Sequence, residues 1–345
     1  FPRFILTTYA TFGAENFQAA LLHAKGKGRE CLLIADEAHN VSSPRLRGVL
    51  SDYESLFRYR LALSATPEIE GKESATRFLF EYFNERFENV ELAEKDQQFC
   101  GVFTLEDGIK SEVLCPYNYF PIPMFLDPET GSRYLSILTE LDTASGKADL
   151  SLYSQRRDIL QKSRLPLHAL ENLLSERQRN LQPLHHTLVY CPPGNLKEDP
   201  EDDDSDAEPI LMNLLEETTR IIDNQGLNTT VIVGQTPETQ RKESLKSFKI
   251  GEFDCLCAIG CLDEGVDVPS IERAVVLYSI DRHRQFVQRR GRILRKDKDN
   301  PGKIAEVFDV VLLPHESQLS ATETQHLLTR EMRRYREFAR LAQNG

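Results

Sequence analysis

Short apolar runs alternate along the chain with stretches in which apolar residues recur every three or four positions. Cys31–Ala35 and Leu61–Leu63 are near-continuous apolar runs. Five more follow at Thr187–Cys191, Thr230–Val233, Cys255–Ile259, Ala274–Leu277 and Ala305–Leu312. Runs of this length predict strands buried on both faces of a parallel sheet. Ile210–Asp223 and Pro237–Phe248, which lie between them, have helical spacing. Repeated strand–helix–strand order predicts an α/β protein with two doubly wound parallel-sheet domains.

The middle of the chain has a different pattern. Tyr134, Leu135, Leu138 and Leu141, then Leu167, Leu170 and Leu174, fall at helical spacing. They predict a helical connector over 131–184, between a first domain at 1–130 and a second at 185–345. Residues 192–209, rich in Pro, Gly and acid, predict a disordered surface loop. Thr322–Ala342 predicts a C-terminal amphipathic helix with Leu328, Tyr335, Phe338 and Leu341 on one side, packed on the second domain.

Composition narrows the class. The 345 residues are 40% hydrophobic and 28% charged, a globular balance with no apolar run of transmembrane length. The start at Phe1-Pro2-Arg3, without Met or a signal-peptide pattern, is read as a cut inside a longer protein. Seven scattered cysteines read as reduced thiols and place the protein in the cytoplasm. Cys255, Cys257 and Cys261 cluster, but Cys255 and Cys257 alternate along a buried strand and so share a face. The net charge of −12 counts against a protein that coats nucleic acid through overall positive charge. Any nucleic-acid contact must come from local positive charge. The acidic run Glu198–Glu208 accounts for part of the total.

Four short constellations carry chemistry. Asp36-Glu37-Ala38-His39 follows directly on the first strand, at the carboxyl end where open α/β sheets bind ligands. Two adjacent carboxylates there suit nucleotide hydrolysis: one holds Mg²⁺ through water, and the other orients and deprotonates the attacking water. The bland alternative is a helix N-cap with an acidic first turn. Ser64-Ala65-Thr66-Pro67 ends the next strand, where hydroxyls can hydrogen-bond across to His39; it can equally be a capped turn before proline. Asp263-Glu264-Gly265-Val266-Asp267 follows the strand at Cys255–Ile259. Gln288-Arg289-Arg290-Gly291-Arg292-Ile293-Leu294-Arg295 lies in the most basic stretch of the chain. On a helix Arg292 and Arg295 share a face and can clamp a γ-phosphate, or form a generic basic surface.

In this order, these elements resemble the superfamily 2 helicases, and most closely the DNA-directed branch of XPB-type proteins and restriction-system motor subunits. The resemblance also takes in Thr7-Thr8-Tyr9, Val113-Leu114-Cys115-Pro116-Tyr117 and Arg284-Gln285-Phe286-Val287. It implies two RecA-like domains, the first incomplete, with ATP and Mg²⁺ in the cleft between them. By motif position, Asp36 holds Mg²⁺ and Glu37 is the catalytic base. His39, Ser64 and Thr66 couple hydrolysis to movement. Gly265, Asp267 and Gln288 serve the nucleotide site, and Arg292 and Arg295 act as arginine fingers. Thr7 and Thr8, with Gly234, Gln235 and Thr236, resemble residues that grip a nucleic-acid strand. Such backbone contacts are independent of base sequence.

The family's phosphate-binding G-x-x-x-x-G-K-[ST] loop occurs nowhere in the 345 residues. Residues 1–345 alone are therefore expected to bind ATP poorly and hydrolyse it negligibly. The resemblance implies an ATP-driven motor on DNA, possible partners being subunits of a repair or a restriction and defence system. The alternatives are an RNA helicase of the same superfamily and a non-catalytic scaffold that lost its phosphate loop.

Overall fold

The computed structural model describes residues 4–64, 67, 73–83, 101–143, 150–182, 184–191, 207–259, 268, 270–278, 291–319 and 332–345. The chain divides into two compact units, 1–102 and 103–345. Among the described residues no helix is long and apolar enough to cross a membrane.

The first unit carries a two-stranded parallel sheet, β1 (Leu32–Asp36) and β2 (Tyr59–Leu63), in register from Leu32 opposite Tyr59 to Asp36 opposite Leu63. Its helices are α1 (Tyr9–Phe12), α2 (Glu15–Gly26), α3 (Pro44–Asp52) and α4 (Glu73–Phe83). Pro44 opens α3 at a position where its missing N–H costs nothing. Leu46, Val49 and Leu50 of α3 join Ala35, Ala38, Leu56, Phe57 and Leu79 in one buried cluster. Arg60 braces the base of the sheet. Its guanidinium sits 4.2 Å from the Tyr82 ring centroid and donates to the Tyr82 and Phe57 carbonyls, each at 2.8 Å.

The expectation of burial on both faces fails in this unit. Leu32 and Ile34 on β1 and Tyr59, Leu61 and Leu63 on β2 are 45–58% exposed. Strand residues alternate between faces, and the core cluster of this unit draws on the other face, through Leu33, Ala35 and Ala62.

The second unit holds a six-stranded parallel sheet in the order β3-β8-β7-β4-β6-β5. The strands are β3 (Tyr117–Phe125), β4 (Thr187–Cys191), β5 (Thr229–Ile232), β6 (Cys255–Ile259), β7 (Arg273–Val276) and β8 (Ala305–Leu313). Here burial on both faces holds. One face packs Leu188, Tyr190, Leu256 and Val307 against Phe248 of α10 (Glu238–Lys249) and Tyr335 and Phe338 of α11 (Arg333–Leu341). The other packs Val189, Cys191, Cys257 and Phe308 against Leu170 and Leu174 of α8 (Leu165–Arg179) and Leu214 and Ile222 of α9 (Ala207–Asp223). Cys255 and Cys257 are alternate, fully buried residues of β6, and burial pushes the Cys255 thiol up to about 12.

α5 (Leu105–Lys110) precedes β3, and the expected connector contains α6 (Pro128–Thr143), α7 (Leu150–Lys162) and α8, of which α8 also covers the sheet. The division of the chain falls near residue 102 rather than at 130. β3, placed above in the first domain, is an edge strand of the second sheet, paired along its length with β8. Its two prolines explain how. Leu126 N donates to Leu313 O and Ala305 N donates to Pro116 O, so even-numbered backbone groups of this strand face β8. Pro121 and Pro123 turn their missing N–H groups to the open edge, where no ladder bond is lost. Residues 207–209, assigned above to the loop, open α9. The rest of that loop lies outside the described residues, as does most of the first half of the predicted C-terminal helix.

Candidate functional site

Asp36 is the last residue of β1, and its side chain lies at the exposed carboxyl end of the strand. Glu37 then takes a left-handed backbone, φ 50° and ψ 51°. For a residue other than glycine this costs about 1–2 kcal/mol, and such strain collects at functional sites. It turns the chain sharply into a short 3₁₀ helix, Ala38–Ser42, and so sets two successive carboxylates at the strand end.

The Asp36–Glu37 peptide is held on both sides. Its N–H, on Glu37, donates to Asp36 Oδ1 at 3.0 Å. Its carbonyl, on Asp36, accepts from the Tyr9 hydroxyl in a short hydrogen bond. Burial first, then the charges of Asp36 and Glu37, push the Tyr9 phenol up to about 12, so it stays protonated as the donor.

His39 is buried at the start of the same turn. Its Nδ1 lies 3.2 Å from Ser64 Oγ, just past β2, and 3.4 Å from Glu37 Oε2. One imidazole therefore touches the acidic turn after β1 and the hydroxyl after β2. Thr66 lies outside the described residues. Thr8 caps α1 through its hydroxyl, which accepts from Thr11 N at 3.2 Å, and Thr7 precedes it half-buried.

In the second unit, Gly234, Gln235 and Thr236 form the turn at the carboxyl end of β5. Thr236 Oγ1 accepts from Val233 N at 2.9 Å. Gly265, Asp267 and Gln288 lie outside the described residues. Arg292 and Arg295 are half-buried and flank Ile293 and Leu294, which are almost fully buried. They do not share a helix. The helix ends before Arg295, which forms an isolated bridge with Leu114. The carbonyls that would continue the helix are taken elsewhere. Cys115 N donates to Leu294 O at 2.7 Å, and the buried Lys303 Nζ donates to Ile293 O at 2.9 Å and Arg295 O at 2.8 Å. Desolvation lowers the Lys303 pKa.

Motif reading assigned no role to two further residues, Tyr9 in the first unit and Lys303 in the second. Tyr9 could have been found as the hydroxyl-bearing aromatic directly after the Thr7-Thr8 pair. Lys303 has no sequence signal.

Parts of the chain resemble known proteins. The family described as "Helicase conserved C-terminal domain" matches residues 205–297, which include Gly234, Gln288, Arg292 and Arg295. The chain is 42% identical over 77 residues to the DNA 3'-5' translocase XPB2 of Sulfurisphaera tokodaii, covering 22% of this chain and 17% of that protein. The chain is a superfamily 2 helicase-like protein. This helicase-like chain is also 28% identical over 91 residues to UvrABC system protein B of Aster yellows witches'-broom phytoplasma, covering 25% of this chain and 14% of that one. The matched stretches thus span under a fifth of these two relatives' own length. A fragment structure assigned to the HsdR subunit of a type I restriction enzyme from Vibrio vulnificus shares the fold. Its TM-score is 0.50 at 16% identity, over 85% of this chain and 46% of that one.

Proposed function

We propose that this chain is part of an ATP-driven motor that moves on DNA. The observation that carries the reading is the turn after β1, where Asp36 and Glu37 sit side by side and His39 reaches both Glu37 and Ser64. This is the hardware of nucleotide hydrolysis with a link to a second strand end. The similarity to a DNA 3'-5' translocase favours DNA as the track.

The donor set suits Mg²⁺. An exposed carboxylate on a rigid strand end can hold a hard cation that keeps part of its water shell. Asp36 would hold the ion, and bound Mg²⁺ supplies charge neutralisation at the β- and γ-phosphates. Glu37 orients the attacking water and accepts its proton. Arg292 and Arg295 bear on the γ-phosphate as charge develops. By motif position, Gly265, Asp267 and Gln288 complete the nucleotide contacts and Thr66 acts with Ser64. Thr7, Thr8, Gly234, Gln235 and Thr236 contact the sugar–phosphate backbone. Partner subunits would be those of a repair or a restriction and defence system, and the protein would work in the cytoplasm.

The test is ATP hydrolysis by the product of the intact reading frame, alone, with DNA and with RNA. DNA is expected to raise the rate. Stimulation by RNA but not DNA would replace the DNA reading with an RNA one.

A further inference from the structure

Tyr9 occupies a position with consequences for both halves of the first unit's chemistry. It directly follows Thr7 and Thr8, the candidate strand-contacting pair, and it opens α1, whose N-cap is Thr8. Its half-buried ring packs against the core cluster that contains Ala35 and Ala38, the residues bracketing Asp36 and Glu37. Its hydroxyl reaches 27 residues along the chain to the carbonyl of Asp36.

That carbonyl belongs to the peptide plane joining Asp36 to Glu37. The opposite side of the plane is tied to Asp36 Oδ1 through Glu37 N. A peptide held at both its oxygen and its nitrogen cannot rotate about its flanking ψ and φ without breaking a hydrogen bond. The Glu37 backbone, at φ 50°, lies in a region from which such rotation would otherwise offer relief. The direction of the Glu37 side chain is set by this plane.

We propose that Tyr9 is a positioning residue: its hydroxyl fixes the Asp36–Glu37 peptide and so links the Thr7-Thr8 segment to the orientation of the catalytic carboxylate. A displacement of Thr7 and Thr8 on contact with a strand would move the Tyr9 hydroxyl with them, and the peptide would follow. This rests on the motor function proposed above. Misplacing a reacting group by a fraction of its working distance costs a factor of about ten or more in turnover.

The experiment is steady-state ATP hydrolysis by the product of the intact reading frame, wild type against Tyr9→Phe, with and without DNA. DNA affinity and melting temperature are measured on the same samples. Phenylalanine keeps the ring and removes only the donor. The expected result is a DNA-stimulated kcat lowered about tenfold and a smaller ratio of stimulated to unstimulated rate. KM for ATP and Kd for DNA stay within about twofold. An unchanged stimulated kcat overturns the proposal, and so does a change confined to KM or Kd. A wild-type protein whose hydrolysis does not respond to DNA overturns the motor reading itself, and the link with it.

Where Tyr9→Phe does not fold, 4-fluorophenylalanine at position 9 keeps the ring and an atom in the place of the oxygen but has no proton to donate. It is expected to lower the DNA-stimulated kcat by the same factor of about ten. A stimulated kcat equal to that of the wild type overturns the proposal.

Discussion

At the scale of single residues, the structure turns on polar groups that the fold withdraws from water. Burial, above all, pushes the phenols of Tyr9 and Tyr82, both in the first unit, up to about 12. An unfolded tyrosine ionises near pH 10. Between about pH 10 and 12 the unfolded chain gives up these protons while the folded one keeps them. Stability is therefore full below pH 10 and falls as pH rises through that window. The urea midpoint of the first unit is expected to drop between pH 10 and 12, and Tyr82→Phe to flatten the drop. A midpoint that rises over that range would contradict the assignment. Lys303 makes a second case. Its ammonium satisfies two carbonyls at the end of the arginine-bearing turn. Lys303→Met keeps the buried stem and strands those carbonyls, so urea unfolding should show a loss of about 2 kcal/mol. A loss under about 0.5 kcal/mol would show that those carbonyls do not depend on Lys303. The place of Asp36, Glu37 and His39 at the end of β1 was legible in the sequence because polar residues directly follow an apolar run. Tyr9 and Lys303 were not, because each acts on a backbone carbonyl, and carbonyls are common to every residue.

At the scale of elements, hydrophobic runs located the strands of both units to within about two residues. The runs mark positions where side chains leave water, which is also where strands form. β3 was the exception. Its sequence, YNYFPIPMF, contains two prolines that argue against a central strand. Only the pairing with β8 shows that both prolines face an open edge. The same edge is partly closed by the chain's last residues. Asn344 Oδ1 accepts from Tyr119 N at 2.8 Å, Asn344 Nδ2 donates to Tyr119 O at 3.0 Å, and Gln343 N donates to Tyr117 O at 2.9 Å. A side-chain amide thus stands in for a neighbouring strand, a form of edge protection. Asn344→Ala is expected to cost about 1 kcal/mol of stability in the second unit, with faster amide exchange at Tyr119. Unchanged exchange at Tyr119 would mean that the edge is held by something else. The pairing of Arg292 and Arg295 on one helix face was expected from spacing alone. It did not form because Cys115 and Lys303 claim the carbonyls that a further helical turn would need.

At the scale of the whole molecule, the residues that the proposed motor function needs are divided between the two units. The first supplies Asp36, Glu37, His39 and Ser64; the second supplies Arg292 and Arg295 on a braced turn. Repeated strand–helix order was enough to foresee two parallel-sheet units. The open face of the β1–β2 sheet was not foreseeable, since an apolar run does not reveal which of its alternate residues will find cover. The most direct measurement of the motor reading is DNA-stimulated ATP hydrolysis by the product of the intact reading frame, with Glu37→Gln and Arg292→Ala each compared with the wild type. A DNA-driven ATPase should lose at least about a hundredfold in kcat on losing its base, and about a thousandfold or more on losing an arginine finger, while still binding DNA. Hydrolysis that survives Glu37→Gln at the wild-type rate would contradict the assignment of this turn as the catalytic centre.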